Sequence, residues 1–111
     1  MVSVFGPDTL GDFPTGERTP FRVHAETVSE AIRQYVKHFD VSFEPYDGRY
    51  PSVPLDPEDP KFFIYRSKRP RWEEALVDIH VMRGDEEICI RQDLNFALQP
   101  ADQIEIGPVA C

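Results

Sequence analysis

The stretch TVSEAIRQYVKHF, Thr27 to Phe39, decides how the rest of the chain is read. Val28, Ile32, Tyr35, Val36 and Phe39 recur at helical spacing and fall on one face, so the periodicity predicts an amphipathic helix that must bury that face against something flat. Thr27 followed by Glu30 fits a capping box, in which the threonine hydroxyl and the glutamate carboxylate satisfy backbone donors at the helix start. Arg33, Lys37 and His38 lie in the middle or last turn, where positive charge suits the helix macrodipole.

Outward from the helix, both flanks read as strands. Toward the N-terminus, VSVF (Val2 to Phe5) alternates and is closed by Gly6-Pro7, and RTPFRVHAE sets Phe21, Val23 and Ala25 opposite Arg22, His24 and Glu26. These two segments are predicted to form a hairpin. Toward the C-terminus, LVDIHVM places Val77, Ile79 and Val81 opposite Asp78, His80 and Met82. RGDEE then makes a turn and ICIRQ returns as the second strand of another hairpin. The closing stretch DQIEIGPVAC, Asp102 to Cys111, is predicted as a last strand with Ile104 and Ile106 inward, ended by Pro108, which has no N–H to donate.

Between Asp40 and Arg71 lie six of the eleven prolines, and regular structure is not expected there beyond FFIY (Phe62 to Tyr65) as a short strand and RWEEAL (Arg71 to Leu76) as one helical turn. The segment is far longer than the usual ~4–6 residue connection, so it reads as an insertion at 40–71 within a single domain spanning 1–111.

Composition excludes several classes. With 12 Lys and Arg against 20 Asp and Glu the net charge is −8, which opposes general affinity for nucleic acid or an anionic membrane. No apolar run approaches the ~20 residues of a membrane span, and the N-terminus lacks the basic start and apolar stretch of a signal peptide. The expected location is a cytoplasm, or a particle assembled in one. Cys89 and Cys111 form no CxxC or CxxH spacing, so neither a metal knuckle nor a disulfide framework is expected.

Hairpin, helix, return hairpin and last strand is an economical way to cover one face of a mixed sheet, and it predicts an α+β, β-grasp (ubiquitin-like) architecture. The closing segment LQPADQIEIGPV, Leu98 to Val109, resembles the C-terminal part of ubiquitin-like sulfur carriers of the MoaD and ThiS type, with Leu98, Asp102, Ile104, Ile106, Pro108 and Val109 in register. Together with ETVSEAIRQYVKHF (Glu26 to Phe39), it is also similar to the ubiquitin-like tail assembly proteins of lambda-type phages. The second resemblance implies a non-enzymatic structural or assembly component of a phage tail tip. Its location would be the virion tail, or the host cytoplasm during assembly. Its partners would be other tail-tip or tail assembly proteins, one of them bearing peptidase domains. The first resemblance implies a sulfur carrier or protein modifier served by an adenylating enzyme. That chemistry needs a side-chain-free Gly-Gly tail, and Ala110 and Cys111 stand in its place. A regulatory adaptor is the remaining alternative.

Residue by residue, the chemistry of the chain is sparse. His24, His80 and Cys89 are predicted on the sheet face opposite the helix. His24 belongs to a strand three inter-strand steps away, roughly 14 Å at ~4.8 Å each, leaving half a zinc site at most. No phosphate loop, nucleophile elbow or distinct carboxylate pair is present, so no catalytic residue, metal, cofactor or small-molecule substrate is expected. The segment FFIYRSKRPRW, Phe62 to Trp72, carries a third of the basic residues beside the four apolar ones of FFIY. Aromatic and Arg-rich, it is the candidate partner-binding surface through Phe62, Phe63, Tyr65, Arg66, Arg69, Arg71 and Trp72. The competing reading folds FFIY back into the sheet as an edge strand and leaves the charges solvated.

Overall fold

A computed structural model describes residues 1–6, 9–10, 13–14, 20–67 and 73–107. It is an α+β arrangement in which one helix, α1 (Val28–Phe39), lies across a curled mixed sheet. The strands in chain order are β1 (Val2–Phe5), β2 (Thr9–Leu10), β3 (Phe13–Pro14), β4 (Phe21–Val23), β5 (Val41–Pro45), β6 (Phe63–Ser67), β7 (Glu73–Arg83), β8 (Glu86–Cys89) and β9 (Gln103–Gly107). The sheet runs β4-β1-β9-β7-β6-β5, with β8 also on β7, while β2 and β3 form a separate small hairpin.

The helix forms as its sequence predicts, and its start is closed three ways. Thr27 is extended (φ −132°, ψ 160°), its Oγ1 accepts from the Glu30 N–H at 3.3 Å, and the Glu30 carboxylate accepts from the Glu26 N–H at 3.1 Å. The two N–H groups before Glu30 go to a crossing segment: Val28 donates to the Phe96 carbonyl (3.1 Å) and Ser29 to that of Leu94 (2.7 Å). A helix start whose donors are consumed in this way offers nothing to an anion. At the other end Asp40 adopts a left-handed φ of 53° and returns its N–H to Val36.

Val28, Ala31, Ile32 and Tyr35 of α1 press onto Val2 and Val4 of β1, Ile104 and Ile106 of β9, and Val77, Ile79 and Val81 of β7, all buried. The parallel pair β1–β9 (Val4↔Ile104) and the antiparallel pairs β1–β4 (Val4↔Phe21) and β7–β9 (Ile79↔Ile106) align these residues on one face. Register is fixed because a one-residue slip would turn every one of these side chains outward. The β7–β8 hairpin closes through Gly84-Asp85, with Gly84 at φ 62°, as a two-residue loop requires.

Two expectations for the 40–71 segment are corrected. Val41–Pro45 is a strand, because Val41 and Phe43 alternate inward and Phe43 meets Phe63 (ring centroids 5.1 Å) and Tyr65 (5.7 Å). The proline count concealed that alternation, since Pro45 falls at the strand's end. Glu73–Leu76, expected as part of a helical turn, is instead the first four residues of the eleven-residue β7, paired with β6 at Ile64↔Leu76 and Tyr65↔Ala75. Cross-strand partners outweigh the local helix signal there. Arg71 and Trp72 lie outside the described residues.

The rest of the insertion, 46–62, is built on Tyr46. Its backbone N–H donates to the Phe62 carbonyl at 3.0 Å, and its ring is buried and stacked on Tyr50 at 6.0 Å. Its hydroxyl accepts the Tyr50 N–H at 3.0 Å and reaches the carbonyls of Tyr50 and Val53. Among the described residues no helix is long and apolar enough to cross a membrane.

Candidate functional site

The predicted partner-binding segment is divided by its own alternation. In β6, Phe63 (1% exposed) and Tyr65 (0%) point into the core, and the Tyr65 hydroxyl lies 3.0 Å from that of Tyr35 on the helix. Neither ring offers surface. Phe62 is half-buried, its carbonyl bonded by Tyr46 N–H and by the Gln92 side chain at 2.8 Å. β6 is an interior strand between β5 and β7, so the described part of the segment folds into the sheet, though away from its edge. Arg69, Arg71 and Trp72 lie outside the described residues.

Arg66 points to the other face and is held between two carboxylates, Glu74 through Nε at 2.8 Å and Glu44 through Nη1 at 3.2 Å. Glu74 stands directly opposite Arg66 in the β6–β7 register and also accepts from Arg49 (2.7 Å) and from the Tyr50 hydroxyl (2.6 Å). Those donors hold the Glu74 carboxyl below its ordinary value, Tyr50 first and Arg66 second. Burial, reinforced by the hydrogen bond to Glu74, pushes the Tyr50 hydroxyl up to about 12. Arg49 in turn grips Asp47 at 2.9 Å. Sequence reasoning missed Glu74, Arg49 and Tyr50 because a strand register, invisible without β5 and β6, brings them together.

A second polar group lies on the sheet face away from α1. His80 and Cys89 are cross-strand partners, as their spacing suggests, with Sγ 3.8 Å from Nε2. The sequence did not show that the His80 ring also lies between two carboxylates, Asp78 at Nε2 (3.1 Å) and Glu87 at Nδ1. The carboxylates sit on opposite ring nitrogens, so their lone pairs do not converge on one point. Among the described residues no group of three His, Cys, Asp or Glu is disposed to hold a metal ion. Cys89 is disulfide-bonded, which corrects the expectation that the chain has no disulfide framework, and Cys111, the other cysteine, lies outside the described residues. His24 is exposed beside β4, three strands from β7.

A third group governs the closing strand. Asp102 is 2% exposed, and Arg83 meets it with two parallel bonds, Nε to Oδ1 at 3.1 Å and Nη2 to Oδ2 at 2.8 Å. The Gln99 N–H also donates to Oδ2 (2.8 Å), the Asp102 carbonyl accepts from Ser3, and the Arg83 guanidinium stands over the Phe96 ring. The Arg83 guanidinium keeps the Asp102 carboxyl below its ordinary value. Here a buried carboxylate, met by a guanidinium that keeps some contact with water, aligns the start of β9 with β1 and the end of β7.

No protein-family model, no curated protein and no solved structure matches this chain.

Proposed function

We propose that this chain is a β-grasp domain that acts as a non-enzymatic structural or assembly component of a phage tail tip, by docking other proteins. The observation that supports the reading is the strand order: β4-β1-β9-β7 with β8 on β7, a parallel β1–β9 pair at the centre, and one helix entered from β4. A β-grasp sheet would carry its strands in that order, which supports the reading, and β5 and β6 of the 40–71 insertion would then extend the sheet beyond it. The two stretches that carry the phage resemblance correspond to α1 and β9, and Asp102 at the head of the second is the residue that Arg83 clasps.

The test is a phage in which this coding segment is disabled. Tails missing or malformed at the tip are expected in electron micrographs, with the purified chain co-eluting with tail-tip proteins in size-exclusion chromatography. Intact, infectious tails would overturn the reading. So would a thiocarboxylate or a conjugate found by intact mass after incubation with an adenylating enzyme and ATP. Deleting the 51–71 segment would remove β6 from the core, so docking by Arg69, Arg71 and Trp72 is tested by substituting those three side chains and measuring the same co-elution.

A further inference from the structure

We propose that the Cys89 disulfide is a redox latch, opened by small-molecule thiols and closed by small-molecule disulfides, in which His80 passes a proton to and from the Cys89 sulfur. It rests on the reading above for one point, the compartment. A particle assembled in a cytoplasm meets thiols first and oxidants after release, and a disulfide of a cytoplasmic protein is a responsive bond more often than a framework.

The bond joins parts of the sheet that lie on opposite sides of one strand. Cys89 ends β8, half-buried, on the face away from α1. The sequence has one other cysteine, Cys111, so the bond closes a ring of chain that contains β9. β8 and β9 both pair with β7 across His80, one at Cys89 and the other at Glu105. Closing such a ring restricts the unfolded chain and so favours both strands in place.

His80 supplies what thiol–disulfide exchange needs. Its ring is buried, with Nε2 3.8 Å from the Cys89 Sγ. A disulfide opens when a thiolate attacks one sulfur and the other leaves with the bonding pair, and the better that leaving sulfur is stabilised, the faster the exchange. The described titratable groups that face the ring are Asp78 at Nε2 (3.1 Å), Glu87 at Nδ1, Glu105 as its register partner on β9, and Cys89 itself. β2, which packs against β7, is Thr9–Leu10 and adds none. Carboxylates only accept hydrogen bonds, so the ring is matched on both sides when both its nitrogens carry a proton. The Nε2 proton then lies between Asp78 and Sγ, placed for a departing sulfur, while Glu87 holds the ring from its other side.

Opening begins when a small thiolate, RS−, bonds to the Cys111 sulfur. The Cys89–Cys111 bond breaks, and Cys89 leaves with the electron pair and takes the Nε2 proton. A second RS− attacks the sulfur it resembles in the mixed disulfide, releasing RSSR and the Cys111 thiolate. The two protons given up by the RSH pair restore His80 and protonate Cys111, so two thiols are oxidised for each protein disulfide reduced. In closing, RSSR forms the mixed disulfide at Cys111, and His80 takes the Cys89 proton as that sulfur displaces RS−.

Reduced glutathione is the probe, applied to the purified chain at neutral pH, with time points quenched in N-ethylmaleimide and read by intact mass. The oxidised chain should take up no maleimide and the opened chain two. His80→Gln should slow opening about tenfold or more, because the leaving sulfur loses its proton donor. A histidine that only supports the fold would give the reverse, since loosening exposes the bond. Glu87→Gln, at an exposed residue, should melt as the parent does and slow opening about threefold or more through the ring it positions, and it carries the same test should His80→Gln not fold. Opening should also lower the melting temperature and speed amide exchange in Glu86–Cys89 and Gln103–Gly107. Two maleimides on the oxidised chain, a rate unchanged or raised in either variant, or equal melting of the two redox states would each overturn the proposal. These rates belong to the isolated chain, so their failure is distinguishable from a failure of the tail-assembly reading, which is scored in particles.

Discussion

The molecule uses the same chemistry, guanidinium against carboxylate, in two places with different consequences. At the head of β9 one Arg83 meets one Asp102 whose carboxylate is buried. At the β6–β7 register Arg49 and Arg66 converge on Glu74, with Tyr50 as a third donor, but every member of that cluster keeps contact with water. A buried carboxylate that loses its partner has no solvent to fall back on, whereas an exposed one exchanges protein for water with little change. The first cluster therefore holds the topology, joining β1, β7 and β9, and the second fastens the 46–62 loop to the sheet.

The sharpest way to break the comparison is to remove the first pair. Asp102→Asn keeps the shape but faces an amide toward donors, and it is expected to lower stability by about 2–3 kcal/mol in urea unfolding. Arg83→Met, which orphans the carboxylate, is expected to be at least as damaging. Glu74→Gln should cost only about 1 kcal/mol, because water replaces part of what is lost, and should speed hydrogen exchange in 46–60 without touching β9. If the two losses proved equal, burial would not be what separates the clusters.

Acid sharpens the same contrast. Asp102 and Glu74 both titrate below their ordinary values of 3.8 and 4.5, so each stabilises the fold above those values and loses its contribution as pH falls through the lower, folded-state value. In acid unfolding followed by circular dichroism, Asp102→Asn should flatten the fall more than Glu74→Gln does. At the alkaline end Tyr50 acts in the opposite sense. Its hydroxyl is pushed from 10.0 to about 12, so its contribution is complete below pH 10 and declines as pH rises toward 12. Tyr50→Phe should remove that decline.

Two smaller effects complete the series. Ala101 has a left-handed φ of 69° in the turn leading to Asp102, a conformation that glycine adopts without the Cβ penalty. Ala101→Gly should therefore raise stability by roughly 0.5–1 kcal/mol. Asp47→Asn, at the exposed rim of the second cluster, should leave the melting temperature unchanged.

What was legible follows from where the signal is local. α1 announces itself in Thr27, Glu30 and the apolar stripe that follows, and β1, β4, β7, β8 and β9 by strict alternation around Ile79, Val81, Ile104 and Ile106. β5 was hidden by its proline-rich surroundings. The first four residues of β7 were hidden because Glu73-Glu74-Ala75-Leu76 has helical propensity that only pairing with β6 overrides.

By itself the sequence determined that one helix must cover one face of a strand-built layer, because hydrophobic period is a property of neighbouring residues. It also determined which residues face that layer's core. Only the tertiary structure decided which strand lies beside which and whether a charge is buried or wet. Those depend on residues such as Arg83 and Asp102, or Arg66 and Glu74, whose meeting is set by the register between strands and by nothing in the residues alongside them.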